Sequence, residues 1–251
     1  IQFYPDVSFR THGRYIPRTL PLYDWVFTTK SYGLDDMKSQ LNVCNASFLP
    51  HGFDPETHAP YPLDFDDRKK YECDVSFIGN WSPKKQELAE HIYISLKSIR
   101  FKIWGPKQWG EVVDGLLGCY QNSPVLGIEY AKAIQASKIN IAILSEARTG
   151  ASSGDLTTTR TFEIPAAGGF MLHERTDEAM NYFEDGKECV FYSDSKDLVA
   201  KIEYYLQHPF ERKAIAQAGR ERCLLSGYSV DSRAEVVLEK YAEIRAKKTI
   251  D

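Results

Sequence analysis

The sequence holds 251 residues, of which 43% are apolar and 26% charged, ordinary values for a globular protein of one large or two small domains. A formal net charge of −4 provides no basic field for nucleic acid or anionic lipid, and no run approaches the roughly 18 apolar residues of a membrane span. The five cysteines (Cys44, Cys73, Cys119, Cys189 and Cys223) are odd in number, widely spaced and without C-x-x-C. That argues against a disulfide framework or a zinc site, and for scattered buried thiols in a reducing cytoplasm.

Ile1-Gln2-Phe3-Tyr4 reads as the end of a strand and implies further sequence upstream. Residues 24–30 predict a strand, 34–41 a short helix, and 46–50 a strand closed by the turn residues 51–55. Residues 54–70 then carry Pro55, Pro60, Pro62 and a dense charge run, which predicts a connection between domains. From residue 73 a regular alternation begins. Strands are expected at 73–79, 100–105, 138–144, 169–173 and 188–192, with helices at 83–98, 127–137, 157–167 and 176–183. Helices at 195–207, 209–225 and 229–247 close the chain. KINIAIL at 138–144 is almost wholly apolar, as a parallel strand covered on both faces requires. The alternation predicts an α/β fold with a doubly wound sheet, whose ligand lies beyond the carboxyl ends of the strands. The expected division is 1–60 for a first domain, 61–72 for the linker, 73–228 for the binding domain, and 229–251 for a helix crossing back to the first domain.

Two stretches carry candidate chemistry. In Gly79-Asn80-Trp81-Ser82-Pro83-Lys84-Lys85 a glycine at a strand end precedes a helix start. Backbone N–H groups there can approach a phosphate, with Lys84 or Lys85 adding charge. An ordinary strand–helix turn with a solvated lysine pair has the same pattern. In the second stretch Thr157, Thr158 and Thr159 open a helix, and Arg160 offers a planar donor fork. Glu163 lies about one turn on and suits ribose hydroxyls; a surface pair with Arg160 is the plain alternative. His51, His58, His91, His173 and His208 show no ligand spacing, so no metal is expected, and the chain is expected to hold no D-x-D metal–diphosphate motif.

Glu163-Ile-Pro-Ala-Ala-Gly168-Gly169 resembles the E-A-M-A-C-G segment of family 4 glycosyltransferases. Their E-x₇-E pair becomes D-x₇-E here, with Asp155 in first place. Residues 160–206, together with DVSFIGNW, FKIWGP, YDWVFTTK and LPHGFDP, are similar to the CgeB-like, spore-maturation-type glycosyltransferases. The resemblance implies a GT-B fold: a doubly wound Rossmann-like C-terminal domain and a partial Rossmann-like N-terminal domain lacking about its first half. It implies a hexosyltransferase-type enzyme that takes a nucleotide-sugar donor, needs no metal and acts on an unknown glycan, lipid-linked or protein acceptor. Self-association as a homo-oligomer would cover surface left bare. By the same resemblance Glu163 binds the donor ribose, and Lys85 matches the lysine of the G-R-x₄-K phosphate pair. Asn80 replaces that pair's arginine, a loss that Arg160 can make good. Trp104-Gly105-Pro106 falls where such enzymes place the nucleobase, with Tyr130 and Ser145 lining the same pocket. Asp6 and His12 are expected at the cleft, His12 toward the donor sugar and Asp6 as a base toward the acceptor. A non-catalytic scaffold and a sugar-nucleotide epimerase of the same fold are the rival readings.

Overall fold

A computed structural model describes residues 1–11, 13–111 and 116–248. The chain runs through β1 (Gln2–Tyr4), α1 (Ile16–Thr19), a 3₁₀ turn at Leu20–Leu22, β2 (Val26–Thr28), α2 (Gly33–Leu41) and β3 (Ala46–Phe48). These strands form a parallel sheet in the order β1-β2-β3, with Gln2 opposite Val26 and Val26 opposite Ala46. Tyr4, Phe9, Leu20, Val26, Met37 and Val43 make its core. The middle strand, β2, is buried at all three positions.

The second unit follows as α3 (Phe65–Tyr71), β4 (Cys73–Ile78), α4 (Pro83–Ser95), β5 (Phe101–Trp104), α5 (Gly127–Ala136), β6 (Ser137–Ala142), α6 (Thr159–Ala166), β7 (Met171–Glu174), α7 (Asp177–Met180), β8 (Val190–Tyr192), α8 (Ser195–Gln207), α9 (Pro209–Leu225) and α10 (Val230–Lys248). Its strands are parallel in the order β5-β4-β6-β7-β8. A single parallel bridge from Ile103 to Tyr120 extends the β5 edge. Counting that bridge as a strand, the order becomes the 3-2-1-4-5-6 of a doubly wound dinucleotide fold, which reverses between β4 and β6. The apolar run at β6 has its reason in the layers: Ile139, Ile141 and Ile143 enter one core and Ala142 the other.

Three expectations need correction. The charge run at 61–72 is not simply a linker, because α3 forms within it. Asp64 caps that helix by accepting the Asp67 N–H at 2.8 Å. Lys70 and Tyr71 reach Glu129 at 2.7 and 2.9 Å, and Lys132 reaches Asp67 at 2.7 Å, so the charges dock α3 onto α5. The helix expected from 157 begins at Thr159, with Thr158 as its cap. Of the five thiols four are buried, while Cys44 is exposed.

The chain crosses between the two sheets twice, side by side. The Phe53 N–H donates to the Tyr228 carbonyl at 3.1 Å and the Val230 N–H to the Phe53 carbonyl at 2.9 Å. A Cβ on Gly52 would lie 2.8 Å from the Tyr228 oxygen, so this crossing accepts only glycine without a shift. Beyond it α10 lies against the first unit, with Lys248 2.7 Å from Asp24 and the Lys240 ammonium 4.4 Å from the Trp25 ring centre. Among the described residues no helix is long and apolar enough to cross a membrane.

Candidate active site

At the reversal point the carboxyl ends of β4 and β6 open a crevice, and Arg160 sits across it. Its guanidinium donates to the Ile143 carbonyl at 2.9 Å and the Ile78 carbonyl at 3.5 Å, and lies over the Phe77 ring. Arg160 can approach because residue 79 is glycine: a Cβ there would stand 2.9 Å from the guanidinium. Gly105 answers a second close approach, since its Cβ would fall 2.3 Å from the Gly79 carbonyl oxygen. That oxygen accepts the indole N–H of the buried Trp109 at 3.0 Å.

Two cavities meet over Arg160. The first, of 360 Å³, is walled by Ile78, Trp104, Gly105, Pro124, Val125 and Leu126, with Tyr130, His58 and Glu163 at its polar end. The Tyr130 hydroxyl donates to Glu163 Oε2 at 3.0 Å, and His58 Nε2 stands 3.8 Å from Glu163 Oε1. Burial first, and then the Glu163 charge, hold the Tyr130 phenol well above its usual range, so it stays a donor. Trp104 itself is only 2% exposed and contributes wall more than platform.

The second cavity, of 410 Å³, is strongly polar and lies between the two sheets. Asp6, Thr11, Lys30 and His51 face it from the first unit; Lys85, Ser145, Arg148, Asp155 and Thr158 face it from the second. Asn80, Thr159 and Arg160 line both cavities. Lys85 sits in the first turn of α4, where Ser82 is the cap, and its ammonium donates to Ser145 Oγ at 3.0 Å. Burial and then the facing Arg160 charge lower its pKa to about 8. The α6 start contributes Thr158, whose buried hydroxyl has no hydrogen-bond partner among the described residues; neither has Arg160 Nε. Two helix N-termini and a surplus of cationic side chains thus converge on one space, a setting suited to a diphosphate.

Gly79, Asn80, Trp104, Gly105, Tyr130, Arg160 and Glu163 border the first cavity, and Asp6, Lys85, Asp155, Thr158 and Thr159 the second or both; Ser145, expected beside Trp104 and Tyr130, borders only the second, where it accepts from Lys85. Three candidates have other duties. Thr157 lies outside both linings, and its hydroxyl donates to Glu178 at 2.8 Å, a carboxylate that also receives Ser31 from the first unit. Asp155 borders the second cavity but has its charge engaged, 2.5 Å from Lys30, with both side chains buried. Lys84 turns away from the cavity and pairs with Glu174 at 2.6 Å. His12 lies outside the described residues.

Lys30, His51, His58 and Arg148 were not anticipated. A lysine closing an apolar strand and two histidines around Gly52 carry no motif, and only the return of the chain past the second sheet brings three of them to the site. His51 stands 3.4 Å from the Lys30 ammonium; burial, then that charge, lowers its pKa to about 3, so it is neutral at physiological pH. The D-x-D spacing does occur once, at Asp64-Phe65-Asp66, but these residues open α3 and border neither cavity. Among the described residues no cluster of three His, Cys, Asp or Glu side chains is placed to hold a metal ion.

Residues 82–239, more than half of the chain, match the sequence profile described as glycosyl transferase-like. The chain belongs to the glycosyl transferase-like family. Solved structures agree on the architecture. Sucrose-phosphate synthase from Thermosynechococcus elongatus superposes with a TM-score of 0.69 at 13% identity, over 98% of this chain and 68% of that one. Anabaena Alr3699/HepE, solved in complex with UDP and glucose, gives 0.69 at 12% identity over 96% and 71% of the two chains. The isolated C-terminal domain of the glycosyl transferase LpcC from Francisella tularensis gives 0.54 at 15% identity, over 71% of this chain and 100% of its own. The chain therefore spans about two thirds of the length of the two larger relatives, and its fold is GT-B. No curated protein sequence matches it.

Proposed function

We propose that the protein is a CgeB-like glycosyltransferase, related to family 4, which moves a hexosyl unit from a nucleoside diphosphate-sugar to an acceptor of unknown kind. The observation that carries this reading is the pair of cavities meeting over Arg160: one apolar-walled with a carboxylate at its end, the other cationic and built from both sheets. In this reading the nucleoside fills the first cavity, with Glu163 accepting the ribose hydroxyls. The diphosphate crosses Asn80 and Thr159, and the sugar lies in the second cavity beneath Asp6 and the 5–11 loop.

Cleavage of the sugar–phosphate bond places negative charge on the departing diphosphate. Lys85, Arg160 and the starts of α4 and α6 are positioned to receive it, each such donor supplying about 2.7–4 kcal/mol where it meets developing charge in a site closed to water. Asp6 is the candidate base toward the acceptor if configuration inverts, and His12 the candidate sugar contact. Cationic side chains already stand where a divalent ion would otherwise neutralise the diphosphate, so binding is expected without metal. The UDP held by the Anabaena relative makes uridine the first base to try.

Calorimetric titration with UDP, GDP, dTDP and CMP in EDTA tests the reading. Selective binding of one diphosphate is the expected result, and complete loss of binding on chelation would end the metal-free version. Donor turnover in the presence of candidate acceptors, with product analysis, separates transfer from epimerisation and from an inactive scaffold.

A further inference from the structure

We infer that His58, supported by Tyr130, is a specificity residue for the donor's ribose, selecting ribonucleoside over 2′-deoxyribonucleoside diphosphates. The inference rests on the reading of Glu163 as the ribose acceptor and adds to it the other half of the recognition. A ribose hydroxyl both donates and accepts, and a carboxylate alone satisfies only the donating half. The missing partner is an N–H or O–H beside Glu163 that faces the same cavity.

His58 meets that requirement through the local fold. Asp54 begins a turn in which its carboxylate accepts the Glu56 N–H at 2.9 Å and the Thr57 hydroxyl at 2.6 Å, and its carbonyl accepts the His58 N–H at 2.8 Å. The Asp54 N–H donates to His58 Nδ1 at 3.0 Å. A ring nitrogen that accepts carries no proton, so in the neutral imidazole the proton is on Nε2. That nitrogen points toward Glu163 Oε1 from 3.8 Å, beyond a direct hydrogen bond, and both residues line the first cavity. The ring packs edge-on against Tyr130, with centroids 5.7 Å apart at 80°. Tyr130 in turn anchors Glu163 Oε2. Oε1 and Nε2 are thus left as an acceptor and a donor side by side, the complement of a vicinal diol. A 2′-deoxyribose would leave one of them unpaired in a partly buried site, and that omission costs affinity.

His58 belongs to the segment that joins the two sheets, so the ribose site is closed by the connection and not by the nucleotide-binding sheet alone. Tyr130 acts through Glu163 and is a positioning residue.

The test measures dissociation constants of the full chain for UDP, GDP, ADP and CDP and for their 2′-deoxy forms. Wild-type protein is expected to bind its preferred ribonucleotide at least tenfold tighter than the deoxy form. His58→Ala is expected to bring the two within about threefold by weakening the ribo form, with inorganic pyrophosphate binding unchanged. His58→Gln keeps an N–H in reach and should restore part of the preference; Tyr130→Phe should lower the preference without abolishing nucleotide binding. Loss of the preference in Glu163→Ala but its persistence in His58→Ala and Tyr130→Phe overturns this inference alone. Persistence in Glu163→Ala overturns the ribose reading beneath it. Failure to bind any of UDP, GDP, ADP and CDP overturns both, as does equal binding of the ribo and deoxy forms by wild type.

Discussion

The two cavities differ in what builds them. The first is walled almost wholly by loops of the second sheet, with His58 from the connecting segment as its visitor. The second takes Asp6, Thr11, Lys30 and His51 from the first unit and cannot be assembled from the other alone. On the proposed reading, holding a nucleoside asks for one sheet and its connection, whereas enclosing a diphosphate and sugar asks for both sheets at a fixed spacing. Binding and turnover are thereby separable, and substitutions should sort by which cavity they touch.

The largest effect is expected at the joint. Lys30 and Asp155 form a buried ion pair between the units, and removing one partner leaves an uncompensated charge. Lys30→Ala should destabilise the chain by about 3–5 kcal/mol, read by chemical denaturation, while a Lys30→Met, Asp155→Leu double substitution should cost much less. A small effect of the single change would mean that the second cavity does not depend on this joint. Next, Arg160→Gln should slow transfer by roughly two to three orders of magnitude, the range for a lost donor to developing charge, and should weaken diphosphate binding more than nucleoside binding. Equal losses for both would erase the distinction between the cavities.

Glu163→Ala lies on the other side of the comparison. It should weaken nucleoside diphosphate binding by about 1.5–3 kcal/mol, the worth of hydrogen bonds to a charged group, and leave pyrophosphate binding unchanged. The smallest effect is a pH dependence confined to the second cavity. With its pKa lowered to about 8, free Lys85 loses its proton as pH rises through that value, and a diphosphate favours the protonated form. Affinity should hold below pH 8 and weaken above it, by at most about tenfold per pH unit, since one proton is taken up on binding. A flat profile in Lys85→Arg identifies the group; an unchanged slope there assigns the dependence elsewhere.

Much of the second sheet was legible because it obeys periodicity. The strand at β6 announced itself by five apolar residues in a run of seven, and α8 and α9 fall at the expected bounds. Glycines at strand ends and the Thr-Arg-Thr-Phe-Glu run located the crevice, because close backbone approach and helix starts impose local residue choices. The segment at 64–71 was misread because Asp64 and Asp67 look like solvated charge until their cap and their partners on α5 are known. Thr157 was placed inside a helix that begins two residues later, at Thr159, and its hydroxyl is turned toward Glu178 on α7. Lys30 and His58 lie outside the second unit, and nothing local marks a residue whose partner, Asp155 or Glu163, lies more than a hundred positions along the chain.

The paired crossing at Phe53 and Ser229 has a mechanical meaning. Two strands of chain running side by side and hydrogen-bonded to one another resist twisting far more than a single tether would, yet leave rotation about the line joining them comparatively free. Any opening of the crevice should then resemble the swing of a door and not the roll of a ball in a socket. Peptide-bond cleavage between 54 and 64 would sever only one of the two pins. Because α10 still grips Asp24 and Trp25, the halves of a nicked molecule should remain together until denaturant releases them.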